Sequence, residues 1–275
     1  MDKLLDALDR FIEATRRVSK QRALAPLEAQ CTKALQKAFR RQGRAMARRL
    51  ETLRDKWPIQ EADMPAGWDD WESLFDQAAD ETLDDFLAPI QKAAKAALTV
   101  GAERAIAEIR LGLELSFSLK NPRAVAYLKA HGAELVAGVN ETTKAEIRTL
   151  LARATDRGWS YNRLAEALID RYEEFAVGRP QEHIDSRAHL VAVTETGQAY
   201  AEGNWIVAQD LRAGGLEMEK HWSTMRDDRV SDGCRANEAQ GWIPADQPHL
   251  SGHMHPLRFP GCRCDELYRR KGAKE

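Results

Sequence analysis

The sequence has few of the features that mark a secreted or membrane protein. It holds 4 cysteines in 275 residues, and Cys31 lies far from the other three, which is unlike a dense disulfide scaffold. No apolar run approaches the roughly 20 residues that cross a bilayer. The first six residues lack the cationic start and apolar stretch of a secretory signal. These absences predict a protein made and kept in the cytoplasm, with reduced thiols or a bound metal.

The chain as a whole also lacks an excess of one charge, since its formal net charge is only −2, but charge is segregated along it. Residues 1–56 carry 15 Lys and Arg against 7 Asp and Glu, a net charge of +8, whereas residues 57–90 carry none against 10. Five basic residues recur every three or four positions and form a basic stripe on one helix face: Lys33, Lys37, Arg40, Arg44 and Arg48. The phosphate backbone of double-stranded DNA is one ligand for such a stripe. The other interpretation, a solvated face or one paired with the acidic block, is favoured because charge runs are usually surface.

The opposite face of the same helix is apolar. It is formed by Leu35, Phe39, Met46, Leu50 and Leu53. This two-sided pattern predicts a helix that buries one side and exposes the basic stripe on the other.

The acidic block, residues 57–90, contains the helix breakers Pro58, Pro65 and Gly67 and is predicted to be a turn-rich connection. Three tryptophans are interleaved with them: Trp57, Trp68 and Trp71. We interpret these as packing residues, because an indole buries a large apolar area once its N–H is satisfied. A docking segment is the alternative.

Helical periodicity dominates the rest of the first 213 residues. From Asp69 to Ala154 it is interrupted at three places, which predicts three or four helices: Pro89, Gly112 and Asn121-Pro122. Ser160 is the predicted N-cap of a further helix, which Gly178-Arg179-Pro180 ends. The buried side of that helix is predicted to hold Leu164, Leu168 and Ile169. A longer helix is predicted from near Ile184 to Leu211.

The helical pattern ends at Gly214-Gly215. Residues then alternate from Leu216 to Thr224 with the period of a strand, and a short final strand is predicted at Cys264 to Tyr268. The stretch between them is rich in glycine and proline and is predicted to be loop. The predicted fold is therefore mainly α with a small α+β C-terminal domain. An elongated helical N-terminal body, residues 1–157, precedes a compact cap of helix and short antiparallel strands, residues 158–275.

Three segments in order resemble the C-terminal domain of the Mu F-like phage head morphogenesis family, minor capsid proteins of tailed phages. They are Gly158 to Leu168, Arg187 to Asn204 with its Thr194-Glu195, and Lys220 through Cys264. The last segment contains the patterns Lys-x-Trp-x-Thr, Asp-x-Arg-Val and Cys-Arg-Cys. The resemblance covers residues 158–268. The signature residues in it are Glu195, Trp222, Thr224, Asp227 and Arg229.

The resemblance implies a minor capsid protein, not an enzyme, that associates with the portal and procapsid and assists head assembly, DNA packaging or DNA ejection. Its implied partners are the portal protein and the major capsid or scaffold protein, with double-stranded DNA as a further partner of the basic stripe and no membrane. The expected location is the virion, in the head interior or at the portal vertex, after assembly in the host cytoplasm.

The C-terminal cysteines are candidate metal ligands. Cys262 and Cys264 lie on the same side of an extended segment, and Cys234 with His249, His253 or His255 could complete a tetrahedral site. We take as the candidate structural zinc set Cys234, His255, Cys262 and Cys264. One ion would stabilise a loop-rich cap that has few apolar residues. Buried free thiols and a late disulfide within a virion are the alternatives.

The turn after the first strand has a structural interpretation. The carboxylate of Asp227 can accept backbone N–H bonds, and the guanidinium of Arg229 can pair with Glu195 or another acid. Trp222 is predicted to fill the core between helix and sheet.

Two other functional classes stay open at this point. One is a zinc-dependent nuclease or toxin-like enzyme that uses the C-terminal Cys/His cluster. Against it, His249 and His253 have metalloprotease spacing but no glutamate between them, and no nucleophile elbow or phosphate loop is present. The other is a helical DNA-binding accessory protein without a capsid role.

Overall fold

The computed structural model describes residues 2–56, 64–109, 115–178 and 184–272. The chain is mainly α-helical with a small antiparallel sheet near its C-terminal end, as predicted. The helices of the described part are α1 Asp2–Leu50, a 3-10 helix Glu51–Lys56, α2 Met64–Glu81, α3 Leu83–Ile109, α4 Pro122–Asp156, α5 Tyr161–Val177, α6 Arg187–Ala213 and α7 Asp232–Ala239. The strands are β1 Met218–Ser223, β2 Ile243–Pro244 and β3 Asp265–Arg270.

The two faces of α1 are as the sequence predicts. Leu35, Phe39, Met46 and Leu50 are buried, while most of the basic stripe is exposed. The side chain of Leu53 lies outside the described residues. No helix in the described part is both long and apolar enough to cross a membrane.

The prediction of a turn-rich connection is wrong over residues 64–68, which are helical, whereas the helical pattern predicted from Asp69 is confirmed up to residue 90 except at Thr82. Pro65 falls in the first turn of α2, where the missing N–H has no intrahelical partner to lose. Pro89 does not break α3, where Phe86 and Ile90 on either side of it are buried. Tertiary packing outweighs the local cost of the proline here.

Some of the other predicted helix breaks and packing residues are confirmed, and the rest lie outside the described residues. Trp71 is buried, as expected of a packing residue. The predicted break at Asn121-Pro122 is confirmed, because α4 begins at Pro122. Several positions lie outside the described residues: Trp57, Pro58, Gly112, Arg179 and Pro180, together with the side chain of Trp68.

The chain forms two compact units, and the long helices α1, α3, α4 and α6 each contribute residues to both. The sheet unit consists of Met1–Gln30, Lys92–Leu128 and Val191–Glu275. The helical unit consists of Cys31–Gln91 and Lys129–Leu190. The division at residue 157 stays a prediction about the domains.

Close contact between helix backbones shapes the core of the sheet unit. A Cβ atom added at Gly101 of α3 would lie 2.1 Å from the carbonyl oxygen of Tyr200, and one at Gly203 of α6 would lie 2.1 Å from that of Leu98. Only glycine permits this approach of α3 to α6. Buried alanines fill the rest of the contact, among them Ala97, Ala102 and Ala199.

The sheet has the order β2-β1-β3, and all its pairs are antiparallel. In the register, Lys220 lies opposite Tyr268 and Trp222 opposite Glu266. The predicted strands are confirmed, with β3 beginning at Asp265. The stretch between them is not all loop, because it contains α7 and β2. Both are too short for periodicity to reveal, although the side chain of Ser231 caps α7 by accepting from the backbone N–H of Cys234.

An aromatic cluster forms the core of the helical unit. The ring centroid of Phe39 lies 5.0 Å from that of Phe86 and 5.7 Å from that of Phe175. In α5, Ser160 is the N-cap, and Leu164 and Leu168 are buried as predicted. Ile169 is 49% exposed, so its predicted burial is wrong. It lies one residue, about 100°, past the stripe that continues from Leu168.

Candidate functional site

Three buried cysteines converge in the sheet unit. The sulfur atoms of Cys234, Cys262 and Cys264 all lie within 4.8 Å of one another, and those of Cys234 and Cys262 are 4.0 Å apart. Their side chains are almost inaccessible to solvent, and none forms a disulfide. They are the one group of three or more metal-ligand residues with this spacing within the described part of the chain. The predicted convergence of Cys234 with the Cys-Arg-Cys pair therefore occurs.

Each cysteine is held by a different local structure. Cys234 lies in the first turn of α7, where the cap residue Ser231 accepts its backbone N–H. Cys262 follows a tight turn in which Gly261 has a φ of 77° and the N–H of Cys262 donates to the carbonyl of Phe259. Cys264 is the residue immediately before β3. A ligand at this point would join a helix, a loop and a strand.

The electrostatic surroundings favour a thiolate at Cys234. The thiols of Cys262 and Cys264 lower the pKa of Cys234 by hydrogen bonding, and Ser231 and Arg258 act in the same direction. The contact with Cys234 raises the pKa values of Cys262 and Cys264, and it outweighs the contact with Cys264, which lowers the pKa of Cys262. A position near a helix N-terminus also favours a thiolate. The neighbouring thiols and the helix N-terminus thus both favour the thiolate form of Cys234.

Arg258 approaches this cluster because residue 233 is glycine. A Cβ atom at Gly233 would lie 2.7 Å from the central guanidinium carbon of Arg258. The Nη2 of Arg258 also lies 3.4 Å from the hydroxyl oxygen of Ser231, to which it donates. The site thus contains a cation beside its sulfur atoms.

His255, the fourth residue of the predicted metal set, is engaged elsewhere. Its Nε2 lies 3.2 Å from Oε2 of Glu202, and its Nδ1 lies 2.6 Å from the carbonyl oxygen of Pro256. Burial lowers the pKa of His255, but these partners outweigh burial and raise it. The histidine is not among the ligand atoms that meet at the cysteines.

A second buried polar cluster was not predicted from the sequence. Nε2 of His249 lies 2.6 Å from Oε1 of Glu266 on β3, and Lys220 of β1 donates to the carbonyl of Met254. Burial raises the pKa of Glu266 and outweighs the opposite effect of Lys220 and His255. The pKa of His249 is lowered by burial and by Lys220. The ring of Trp222 meets that of His249 edge to face at 5.0 Å. Signals in the sequence were the lysine of Lys-x-Trp-x-Thr and the consecutive acids Asp265 and Glu266.

Asp265 points into a third polar group in the same unit. Its Oδ2 accepts from Nη1 of Arg104 at 3.1 Å, and its Oδ1 lies 3.6 Å from Nζ of Lys20. Lys20 also donates to the carbonyl of Cys264 at 2.6 Å. Adjacent strand residues point to opposite faces, so Asp265 and Glu266 serve two separate networks.

The signature residues have structural partners. Trp222 is completely buried beside the three cysteines, as predicted. Thr224 donates from its hydroxyl to Glu238 at 2.6 Å. Asp227 accepts the backbone N–H of Arg229, as predicted, and pairs at 2.7 Å with Arg263, a partner that was not predicted.

Glu195 of α6 is buried. Burial alone would raise the pKa of Asp227, but Arg263 and the backbone N–H of Arg229 outweigh it and lower the pKa. The turn after β1 is thus fastened to the Cys-Arg-Cys segment through the arginine between the two cysteines.

The basic stripe belongs to the helical unit and is partly paired. Arg40 makes two hydrogen bonds to Glu173, at 2.7 and 2.5 Å, and Arg48 pairs with Glu81 of the acidic block at 3.0 Å. The other three residues are exposed, and no ion pair of theirs occurs among the described residues: Lys33, Lys37 and Arg44. Within the part of the chain that the structure describes, three cations of the stripe therefore lack an acidic partner.

Comparison with known families agrees with the motif order. Residues 145–267 match the family described as Phage Mu protein F like protein. This Mu F-like segment covers slightly less than half of the chain, and it contains Glu195 and every signature residue and cysteine from Trp222 to Cys264. No curated protein and no solved structure matches the chain.

The Mu F-like segment starts 13 residues before the start predicted from the motifs, within α4, and ends within β3. The family points to phage head morphogenesis, to capsid-related partners and to a virion-associated protein. It is a family of structural head proteins, which favours a role without catalysis. The alternative of a zinc-dependent nuclease or toxin-like enzyme has no support from it.

Proposed function

We propose that this chain is a minor capsid protein of a tailed phage that associates with the portal and procapsid during head assembly and assists DNA packaging or ejection. The observation that supports this most strongly is the Mu F-like match over residues 145–267. Within this match, the residues of the last motif segment share a buried core, in which Trp222 packs with Cys234, Cys262 and Cys264. We infer that this packed segment acts as a docking module.

The basic stripe is the proposed contact with an acidic partner surface. Three of its cations project to solvent from a single face of α1: Lys33, Lys37 and Arg44. The other two, Arg40 and Arg48, are held by acids of the same unit. Complementary charge mainly raises the rate and specificity of association. With three cations left for a partner, the stripe fits an acidic surface of the portal or scaffold protein. DNA is the competing ligand.

A genetic test addresses the function. The gene would be interrupted in its phage and the protein supplied in trans, and heads would be counted by electron microscopy. We expect interruption to give few infectious particles and heads that are aberrant or unfilled, with rescue by the complete chain. Normal numbers of filled, infectious heads without the protein would contradict the proposal.

Charge reversal tests the proposed contact. A variant with Lys33→Glu, Lys37→Glu and Arg44→Glu is expected to rescue poorly and to co-sediment less with procapsids. The matched control reverses three other exposed lysines and so changes the net charge equally: Lys92→Glu and Lys95→Glu in the sheet unit and Lys129→Glu in α4. This control should rescue normally. Equal rescue by both variants would show that the basic stripe does not contribute to head assembly. DNA binding that falls steeply with salt in the wild type, and is lost in the stripe variant, would assign the stripe to DNA instead.

A further inference from the structure

We propose that Cys234, Cys262 and Cys264 bind one zinc ion through three thiolates, leaving a fourth coordination position for a ligand from outside the cluster. This site is additional to the proposed role in head assembly and does not depend on it.

The distances between the sulfur atoms are those of a metal cluster. In a tetrahedral site with Zn–S bonds of about 2.3 Å, neighbouring sulfur atoms lie about 3.8 Å apart. Cys234 and Cys262 are 4.0 Å apart, and all three sulfur atoms lie within 4.8 Å of one another. Small side-chain adjustments bring all three to one ion. A disulfide would use only two of these three neighbouring thiols, whereas a metal ion would use all three.

The charges of the site suit a zinc tris-thiolate. Three thiolates and one Zn²⁺ carry a net charge of −1, which has to be compensated when the site is buried. Arg258 supplies a positive charge beside Cys234, and the N-terminal turn of α7 supplies backbone dipoles. Gly233 keeps the space that the guanidinium occupies. Both features would stabilise the anionic site.

The ligand set differs from the one predicted from the sequence. His255 lies against Glu202 and Pro256, and His249 lies against Glu266. No fourth histidine, cysteine or carboxylate of the described residues joins the three sulfur atoms at this spacing. A water molecule or a side chain of a capsid partner would complete the tetrahedron. Soft thiolate ligands select Zn²⁺ and exclude Mg²⁺ and Ca²⁺.

The test uses the complete chain, purified under reducing conditions with zinc and then dialysed. Elemental analysis should give about one zinc per chain. Replacement by Cd²⁺ should give a sulfur-to-metal charge-transfer absorption with the intensity of three thiolates. Separate variants Cys234→Ser, Cys262→Ser and Cys264→Ser should each lose at least tenfold in metal affinity.

Two variants provide the controls. Cys31→Ser removes a buried cysteine of the helical unit and should keep the full metal content. His255→Gln should also keep it, whereas loss of zinc in this variant would restore the sequence-predicted set and overturn the three-thiolate site. If the cysteine variants fail to fold, the charge-transfer intensity of the wild type still counts the thiolates.

Two results would overturn the proposal directly. One is less than a tenth of an equivalent of zinc in protein supplied with the metal, together with no cadmium charge-transfer band. The other is a disulfide between Cys234 and Cys262, found by peptide mapping of freshly purified protein without reduction.

Discussion

The two compact units of the chain bury different kinds of side chain. The helical unit has a core of aromatic rings, and ion pairs such as Arg148 with Glu72 lie at its surface. The sheet unit buries charged and titratable groups beside Trp222, including Lys220, His249 and Glu266. The aromatic core of the helical unit depends on apolar volume, whereas the sheet unit adds to its apolar helix contact a buried core that depends on specific polar partners.

This difference has energetic consequences. Apolar cores tolerate substitutions that conserve volume, usually at a cost below about 1.5 kcal/mol. A buried polar network does not, because removing one member leaves another buried and unpaired at a cost of about 3–5 kcal/mol. The sheet unit should therefore be the more sensitive to conservative changes in size, and the helical unit the more tolerant.

The largest effect is expected for Glu266→Ala. Without this carboxyl group, His249 and Lys220 lose a buried partner, and the free energy of unfolding should fall by about 3–5 kcal/mol. Urea unfolding followed by tryptophan fluorescence measures the loss.

Glu266→Gln is its matched control. Because burial raises the pKa of Glu266, a neutral amide of the same shape should cost less than half as much. Equal losses for the two variants would show that charge at Glu266, not shape, maintains the network. An unchanged free energy of unfolding for Glu266→Ala would show that the buried polar network does not stabilise the sheet unit.

Gly101→Ala should have the next largest effect. Its Cβ would lie 2.1 Å from the backbone oxygen of Tyr200, so α3 and α6 would have to separate, at a cost of about 1–3 kcal/mol or more. The control is Gly138→Ala on α4, where a Cβ meets no atom within 4 Å. That variant should be neutral or more stable by up to about 1 kcal/mol. Thermal unfolding would rank them, and a stable Gly101→Ala protein would refute the close helix contact.

A smaller effect is expected for Phe39→Met in the helical unit. The substitution retains most of the apolar volume between Phe86 and Phe175, so it should cost less than about 1.5 kcal/mol. Phe39→Ala, which leaves a cavity, should cost about 3–5 kcal/mol. Similar losses for methionine and alanine would mean that ring geometry, and not volume, holds this core.

The smallest effect is expected for Arg148→Ala, which removes a surface ion pair with Glu72. The arginine side chain is more than half exposed, and exposed pairs contribute about 0–1 kcal/mol. The loss should shrink further in high salt. A loss comparable to that of Glu266→Ala would contradict the division between a charged interior and a charged surface.

Sequence patterns predicted the features that depend on local order. The capped helix after Ser160 and the first strand, predicted from Leu216 and observed from Met218, follow from spacing. The three cysteines that the motifs offered as candidate metal ligands lie close together. Helical packing across Pro89 was not predicted, because tertiary contacts outweigh the local propensity of proline.

Long-range partners explain the rest of the differences. The pairing of His249 with Glu266, and of His255 with Glu202, joins residues 17 and 53 positions apart, and no periodicity relates them. The eight residues of α7 complete little more than two turns, too few for a helical pattern to be recognised.

Quantitative mass spectrometry of purified phage particles, emptied heads and the soluble fraction, normalised to the major capsid protein, tests the central claim most directly. Peptides of this chain at a few per cent of the major subunit in the particles are the predicted result. Their absence from every particle fraction, with the protein present only in the soluble fraction, would contradict a role as a minor capsid component.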